Sequence, residues 1–344
     1  MTRTRGFGVA FLVLLALSVT VGAAARLWQQ VYEFPGPLMA GKTILIPRGT
    51  PKEVGAALKD AGAIRNVDGF WAATLLTRSA GPLHAGEFAF PAGAPLRDVL
   101  AILRTAKPVA HKLTIREGLT SAQIALLLAD AESMVGDAPL PPEGHVLPDT
   151  YAYEHGASRS AVLGRATAAM DRALARVWAG RTPDLALADP EALLTLASIV
   201  EKETAKPDER PLVAAVFLNR LRLGMKLQAD PTVIYAATGG AGMLDRKLTR
   251  ADLDAANPYN TYQTSGLPPG PICSPGLQAL EAVAHPAQSD MLYFVADGTG
   301  GHVFARTVEE HNRNVAHWRA INAAAQANDK GPGEPNTQAA GTSR

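Results

Sequence analysis

The chain of 344 residues carries 33 Lys+Arg against 32 Asp+Glu, a formal charge of +1. That balance gives no support to nucleic acid as a partner, which requires a strong basic excess. Hydrophobic residues at 47% and charged residues at 19% exclude a chain that is disordered throughout or repeatedly membrane-spanning. The one cysteine, Cys273, excludes an intrachain disulfide and a cysteine-based zinc site.

Gly6 to Ala25 is an uncharged apolar run. As a helix it spans ~30 Å, about one hydrocarbon core. Arg3 and Arg5 precede it and Arg26 follows, so the positive-inside rule puts the N-terminus in the cytoplasm and the remainder outside. The rival is a signal peptide cleaved after Ala23-Ala24-Ala25, although the run exceeds a usual signal h-region. Both readings export the bulk of the chain.

Trp28 to Leu38 reads as a linker. Ile44-Leu45-Ile46 then predicts a short strand, with Gly49 as punctuation and Thr50-Pro51 as an N-cap followed by Pro at N1. Val54, Ala57 and Leu58 recur at helical spacing. A second strand-turn-helix follows at Leu113-Thr114-Ile115, Gly118, Thr120 and Ile124-Leu127-Leu128. The two copies suggest a duplicated small α/β unit that looks like a LysM module, a class that binds N-acetylated glycans. A plain packing role fits the pattern equally well.

Further helices are expected at Ala161–Ala179, Asp189–Thr204, Pro211–Leu223, Leu277–Ala284 and Glu309–Ala324, with a strand at Met291–Ala296. After Leu227 the Pro, Gly, Asn and Tyr content reads as ordered loops that carry function. The fold class is α+β. The expected division is an N-terminus and transmembrane anchor at 1–30, a LysM-like accessory region at 31–140, a mixed α/β catalytic domain at 141–324 and a disordered tail at 325–344.

The helix from Asp189 carries carboxylates near its end. At ~100° per residue, Leu194 lies about 20°, Ala197 about 40° and Val200 about 100° from Glu201. The polar residues Thr195, Ser198, Glu191 and Lys202 gather on the other side, about 60–120° away. Glu201 therefore lies on the apolar arc, where desolvation raises a carboxyl pKa toward what a glycosidic general acid needs. A buried, paired structural carboxylate fits the same position. Glu203 falls at the far border of that arc and reads as a structural ion-pair or hydrogen-bond partner.

Residues 193–235, LLTLASIVEKETAKPDERPLVAAVFLNRLRLGMKLQADPTVIY, closely resemble the MltG-type (YceG-like) endolytic murein transglycosylases. So do EGHVLPDTYAY at 143–153, YNTYQTSGLPPGPICSPG at 259–276, AHPAQSDMLYFVADGTGGHVF at 284–304 and EEHNRNV at 309–315. The resemblance implies a single-pass bacterial inner-membrane protein, N-terminus cytoplasmic and catalytic domain periplasmic. It would cut the β-1,4 MurNAc–GlcNAc bond within peptidoglycan strands and leave a 1,6-anhydro-MurNAc end. It implies Glu201 of ASIVEKE as the single acid/base. Termination of nascent-strand elongation, with peptidoglycan synthases as partners, would accompany that activity.

Candidate sugar contacts are Gln228, Asp230, Thr232, Tyr259, Asn260, Thr261 and Tyr262, with Glu203, Asn219 and Arg220 beside them. Asp230 before Pro231 also suits a turn cap. His285, His302 and His311 lie in family-like motifs, but no HExxH metal pattern occurs and no metal or other cofactor is expected. His302 is expected to hydrogen-bond or to edge the cleft, and Cys273 to be a packed small residue. The alternatives are a hydrolytic muramidase and a non-enzymatic, membrane-anchored glycan-binding scaffold.

Overall fold

The computed structural model describes the backbone of residues 3–329 and the side chains of residues 14–321. The chain divides into two compact units, one formed by Met1–Lys112, Ser133–Val135 and Ala152–Ala157, the other by Leu113–Glu132, Gly136–Tyr151 and Ser158–Arg344. This division departs from the expected break at 140. The two strand-turn-helix copies fall in different units.

The first unit opens with α1 (Arg3–Tyr32). Among the described residues no helix is long and apolar enough to cross a membrane. Of the Gly6–Ala25 run, the side chains of residues 6–13 lie outside the described residues. Within the rest of the run, Leu14, Leu15, Leu17, Val19 and Val21 are all exposed. Then come β1 (Lys42–Ile46), α2 (Pro51–Asp60), α3 (Val67–Leu76), β2 (Gly86–Phe90) and α4 (Leu96–Thr105). β1 and β2 pair antiparallel, Lys42 opposite Phe90 and Ile46 opposite Gly86. Alternation along both strands turns Ile44, Ile46, Phe88 and Phe90 into a core shared with Leu58, Phe70, Leu100 and Leu103. The helix start predicted at Thr50 is a full capping box with Glu53.

β3 (Ala110–Thr114) pairs with β5 (Thr150–Glu154), and β4 (Met134–Val135) with β6 (Ala157–Ser158). The second unit holds α5 (Ser121–Ala129), α6 (Arg159–Gly180), α7 (Pro190–Glu203), α8 (Arg210–Arg222), α9 (Asp230–Ala237), α10 (Arg250–Asp254) and α11 (Leu277–Ala284). It closes with the hairpin β7 (Tyr293–Ala296) and β8 (His302–Ala305), then α12 (Val308–Asp329). α5 is capped by Thr120 and Gln123 as α2 is by Thr50 and Glu53. The stretch after Leu227 is not all loop, because Pro231 in the first turn seeds α9 and Thr249 caps α10. α12 runs to Asp329, so the first residues of the expected 325–344 tail are helical, and 330–344 lie outside the described residues.

α7 is the axis of this unit. Asp189 caps it by accepting from Ala192 N at 2.8 Å, with Pro190 following. Residues Leu193 to Val200 are then all buried, packed by α6, α8, α9 and α11. The wet face expected at Thr195 and Ser198 does not exist. Ser198 is fully buried; its Oγ donates to Thr195 O at 2.7 Å and accepts from Ile272 N at 3.0 Å. A helix enclosed on all sides has no apolar arc that distinguishes a cleft from a core.

Candidate active site

The C-terminal turn of α7 carries Glu201, Lys202 and Glu203, and Thr204 ends the helix in extended geometry. The two glutamates meet different surroundings. Glu201 is enclosed, its side chain only 6% exposed. Arg210 Nη2 donates to its Oε1 at 3.1 Å and Gly276 N to its Oε2 at 2.9 Å. Arg210 is itself buried and reaches Glu117 at 3.7 Å. A side chain at position 276 would meet the Glu117 carboxyl, which would have to swing aside. The 116–119 loop is held against this region by Gly118 N to Ser274 O and Ser274 N to Leu119 O, at 2.9 and 2.8 Å. Burial pushes Glu201 above the usual carboxylate range, while Gly276 N–H and Arg210 pull it back. Both of its oxygens are engaged.

Glu203 lines an open cleft of about 540 Å³ with Arg220, Gln228, Asp230, Tyr262, Tyr293 and His311. Among the described residues no hydrogen bond or ion pair engages its carboxyl. Burial first, and the charge of Asp230 second, push it up to about 8, with Arg220 opposing. Tyr262 Oη donates to Asp230 Oδ1 at 2.6 Å. Burial and that bond to Asp230 push the Tyr262 phenol well up, so it stays a donor. Gln228 holds a left-handed backbone, φ +49°, which costs about 1–2 kcal/mol for a non-glycine residue. Such strain persists where surrounding structure imposes it, and it gathers at functional sites. Here Gln228 N donates to Thr261 O at 3.1 Å and Ala229 N to Thr261 Oγ1 at 3.0 Å, which fix the bend.

Five expected residues therefore meet at the cleft: Glu203, Arg220, Gln228, Asp230 and Tyr262. The others do not line it. Thr232 and Thr261 are fully buried and bond each other through their hydroxyls at 2.9 Å. Asn260 Nδ2 donates to the carbonyls of Asp252, Leu253 and Ala255, and its Oδ1 accepts from Tyr262 N. Asn219 holds Ser289 O and Met291 O. Tyr259 packs on Tyr235, ring centroids 4.8 Å apart. Thr232, Thr261 and Asn260 shape the loops beside Gln228 and Tyr262, because a polar side chain in a compact loop satisfies backbone groups first. Arg220 also works partly in that way, donating to Leu292 O and Leu227 O.

Residue-type reasoning missed Tyr293, Trp318 and Arg319 in the cleft wall and Arg210 behind Glu201. Only the MLYF strand and the closing helix signalled the first three. His311 stacks on Tyr293 at 5.2 Å, and its buried Nδ1 has no hydrogen-bond partner among the described residues. His302 bonds Glu209 through Nδ1 at 2.7 Å. Cys273 is buried with its thiol donating to Ser198 O, and burial holds its pKa up. Among the described residues no group of three His, Cys, Asp or Glu could hold a metal ion.

A carboxyl group without bonded partners among the described residues, raised to about 8 in a polar and aromatic cleft, can hold a proton at neutral pH and take it back. That is the behaviour a general acid–base step requires. Residues 44–317 match the model of the YceG-like family, and the chain belongs to that family. It is 31% identical over 372 residues to the endolytic murein transglycosylase of Streptococcus pneumoniae serotype 2, covering 92% of this chain and 65% of that protein. This chain thus spans less than two thirds of the pneumococcal relative. The endolytic murein transglycosylase of Bacillus subtilis strain 168 is 46% identical over 121 residues, 35% of this chain and 32% of that one. The crystal structure of a yceG-like protein from Listeria monocytogenes is similar at a TM-score of 0.51 and 30% identity, covering 79% of this chain and 98% of that one.

Proposed function

We propose that this protein cuts murein strands internally as a lytic transglycosylase, with Glu203, in place of the expected Glu201, as its single acid/base. The observation that carries this reading is the contrast between the two carboxyls. Glu201 has both oxygens engaged, whereas Glu203 lines the cleft, is raised to about 8 and has no bonded partner among the described residues. Glu203 enters protonated and gives its proton to the leaving O4 of the MurNAc–GlcNAc bond. As carboxylate it then takes the proton of the muramyl C6 hydroxyl, which closes on C1 as the 1,6-anhydro ring. No second carboxylate has to activate water. Asp230, held by Tyr262, lies near the developing positive charge at C1 and stabilises it.

The names of the relatives support the substrate and the internal cut. The exposed apolar side chains of α1 and the flanking arginines support a single-pass inner-membrane anchor, with the catalytic unit periplasmic and peptidoglycan synthases as partners. The β1-α2-α3-β2 order with its antiparallel pair supports a LysM-like, glycan-binding role for the first unit.

The test is digestion of purified murein, with mass spectrometry of the products and rates normalised to folded protein. Glu203→Gln should release no anhydro-muropeptides, and Glu201→Gln should retain measurable release. The reverse pattern would return the role to Glu201. Reducing ends without anhydro sugars would favour a muramidase.

A further inference from the structure

Consecutive residues at the end of α7 line two different grooves. Glu203 lines the cleft, and Lys202, about 100° round the helix, lines a second groove of about 310 Å³. Pro231, next to Asp230 of the cleft, is in the second groove's wall, so both grooves share the end of α7 and the start of α9. The rest of that wall is largely apolar, with Ile234, Met243, Leu244 and Ile272, and Tyr235 beside them.

Lys202 is exposed yet held in place. Its aliphatic stem crosses Gly118, where a Cβ would stand 3.4 Å from Cδ, and Nζ donates to Gly118 O at 3.3 Å. No ion pair engages it among the described residues. An ammonium has three donors, so two remain for a ligand. A single fixed cation over an aliphatic wall does not match an uncharged sugar, which needs amides and hydroxyls. It matches a carboxylate carried on a short apolar chain.

The muramyl unit of murein carries such a group, because a peptide with free carboxylates hangs from its lactyl ether. We infer that this second groove binds a carboxylate of the stem peptide on the strand being cut, with Lys202 as the contact and Met243 and Ile234 against the aliphatic part. The inference rests on the murein reading above. It makes the groove a specificity site that favours peptide-bearing strands over bare ones.

The experiment uses the full chain and three substrates: glycan strands with stems, the same strands stripped by an amidase, which leaves only a lactyl carboxylate held against the sugar ring, and strands whose stem carboxyls are chemically amidated. The wild type should show a KM about 5-fold lower for stem-bearing strands than for the other two, the scale of one exposed charge pair. Lys202→Gln should raise the KM for stem-bearing strands to the stripped value, and Lys202→Arg should keep the preference. Equal wild-type KM for stem-bearing and amidated strands overturns the inference, and so does a Lys202→Gln effect of the same size on all three. Because the wild-type arm needs no variant, a misfolded Lys202→Gln protein does not spoil the test. Failure of the wild type to cut any of the three would overturn the murein reading itself, and this inference with it.

Discussion

Glu203→Gln should change stability in a way that depends on pH. An ordinary glutamate has a value near 4.5, and Glu203 sits at about 8. Below about pH 4.5 the group is protonated in both the folded and unfolded chain, and replacing it changes little. Between the two values the unfolded chain loses the proton while the folded chain keeps it. The folded state then binds more protons than the unfolded, so its stability falls as pH rises, by about 1.4 kcal/mol per pH unit. Across the window the ceiling is about 5 kcal/mol. The residue keeps a part-exposed edge on the cleft, and solvent screening brings a realistic figure to about 2 kcal/mol. Above about pH 8 both states are ionised and the loss levels off. Glutamine never ionises and escapes it. Thermal melts of wild type and Glu203→Gln should therefore coincide near about pH 4 and separate with rising pH. The variant should be the more stable by about 4–8 °C above about pH 8. Over the same range the wild-type kcat should fall through about pH 8, because the first step needs the proton in place. A melting difference that is flat with pH, or a kcat that rises through pH 8, would refute the assignment of a raised, proton-bearing Glu203.

Asp230 is the charge that adds to burial in raising Glu203. Asp230→Asn should move the basic limb of the pH–rate profile downward and lower kcat by about 10²-fold without abolishing it; an unmoved limb would separate the two carboxyls. Ser198→Ala removes the acceptor of the buried Ile272 N–H and should cost about 1–3 kcal/mol in urea unfolding. An unchanged midpoint would mean that the amide finds another partner.

Local rules read much of this chain from its sequence. Thr50 with Glu53, Thr120 with Gln123 and Asp189 with Pro190 start helices as their side chains dictate, because capping needs partners only three residues away. Leu277–Ala284 is helical as its spacing predicts. The grouping of those elements was not legible, because the copies at Thr50 and Thr120 belong to different compact units and local spacing says nothing about which units fold together.

The different surroundings of Glu201 and Glu203 were not legible for a related reason. A helical map assumes one wet face, and α7 is enclosed by helices that arrive from both sides of it in sequence. Apolar neighbours at positions 194 and 197 say that Glu201 points inward. They cannot say whether inward is a cleft or a buried pair. That is decided by Arg210, on the next helix, and by the amide of Gly276, far along the chain. The polar motif residues teach the same lesson from the other side. Asn260, Thr232 and Thr261 were expected on sugar because their side chains seek hydrogen bonds, and in a folded loop the nearest donors and acceptors are backbone groups. Thr261, bonded to Thr232, holds the chain at Gln228 in its left-handed conformation, and Asn260 holds the turn before Tyr262. A residue type states that a partner is required, and the three-dimensional neighbours decide whether that partner is the protein or its ligand. On that criterion Glu203 and Lys202, each with unused hydrogen-bonding capacity among the described residues, are the groups proposed to meet substrate.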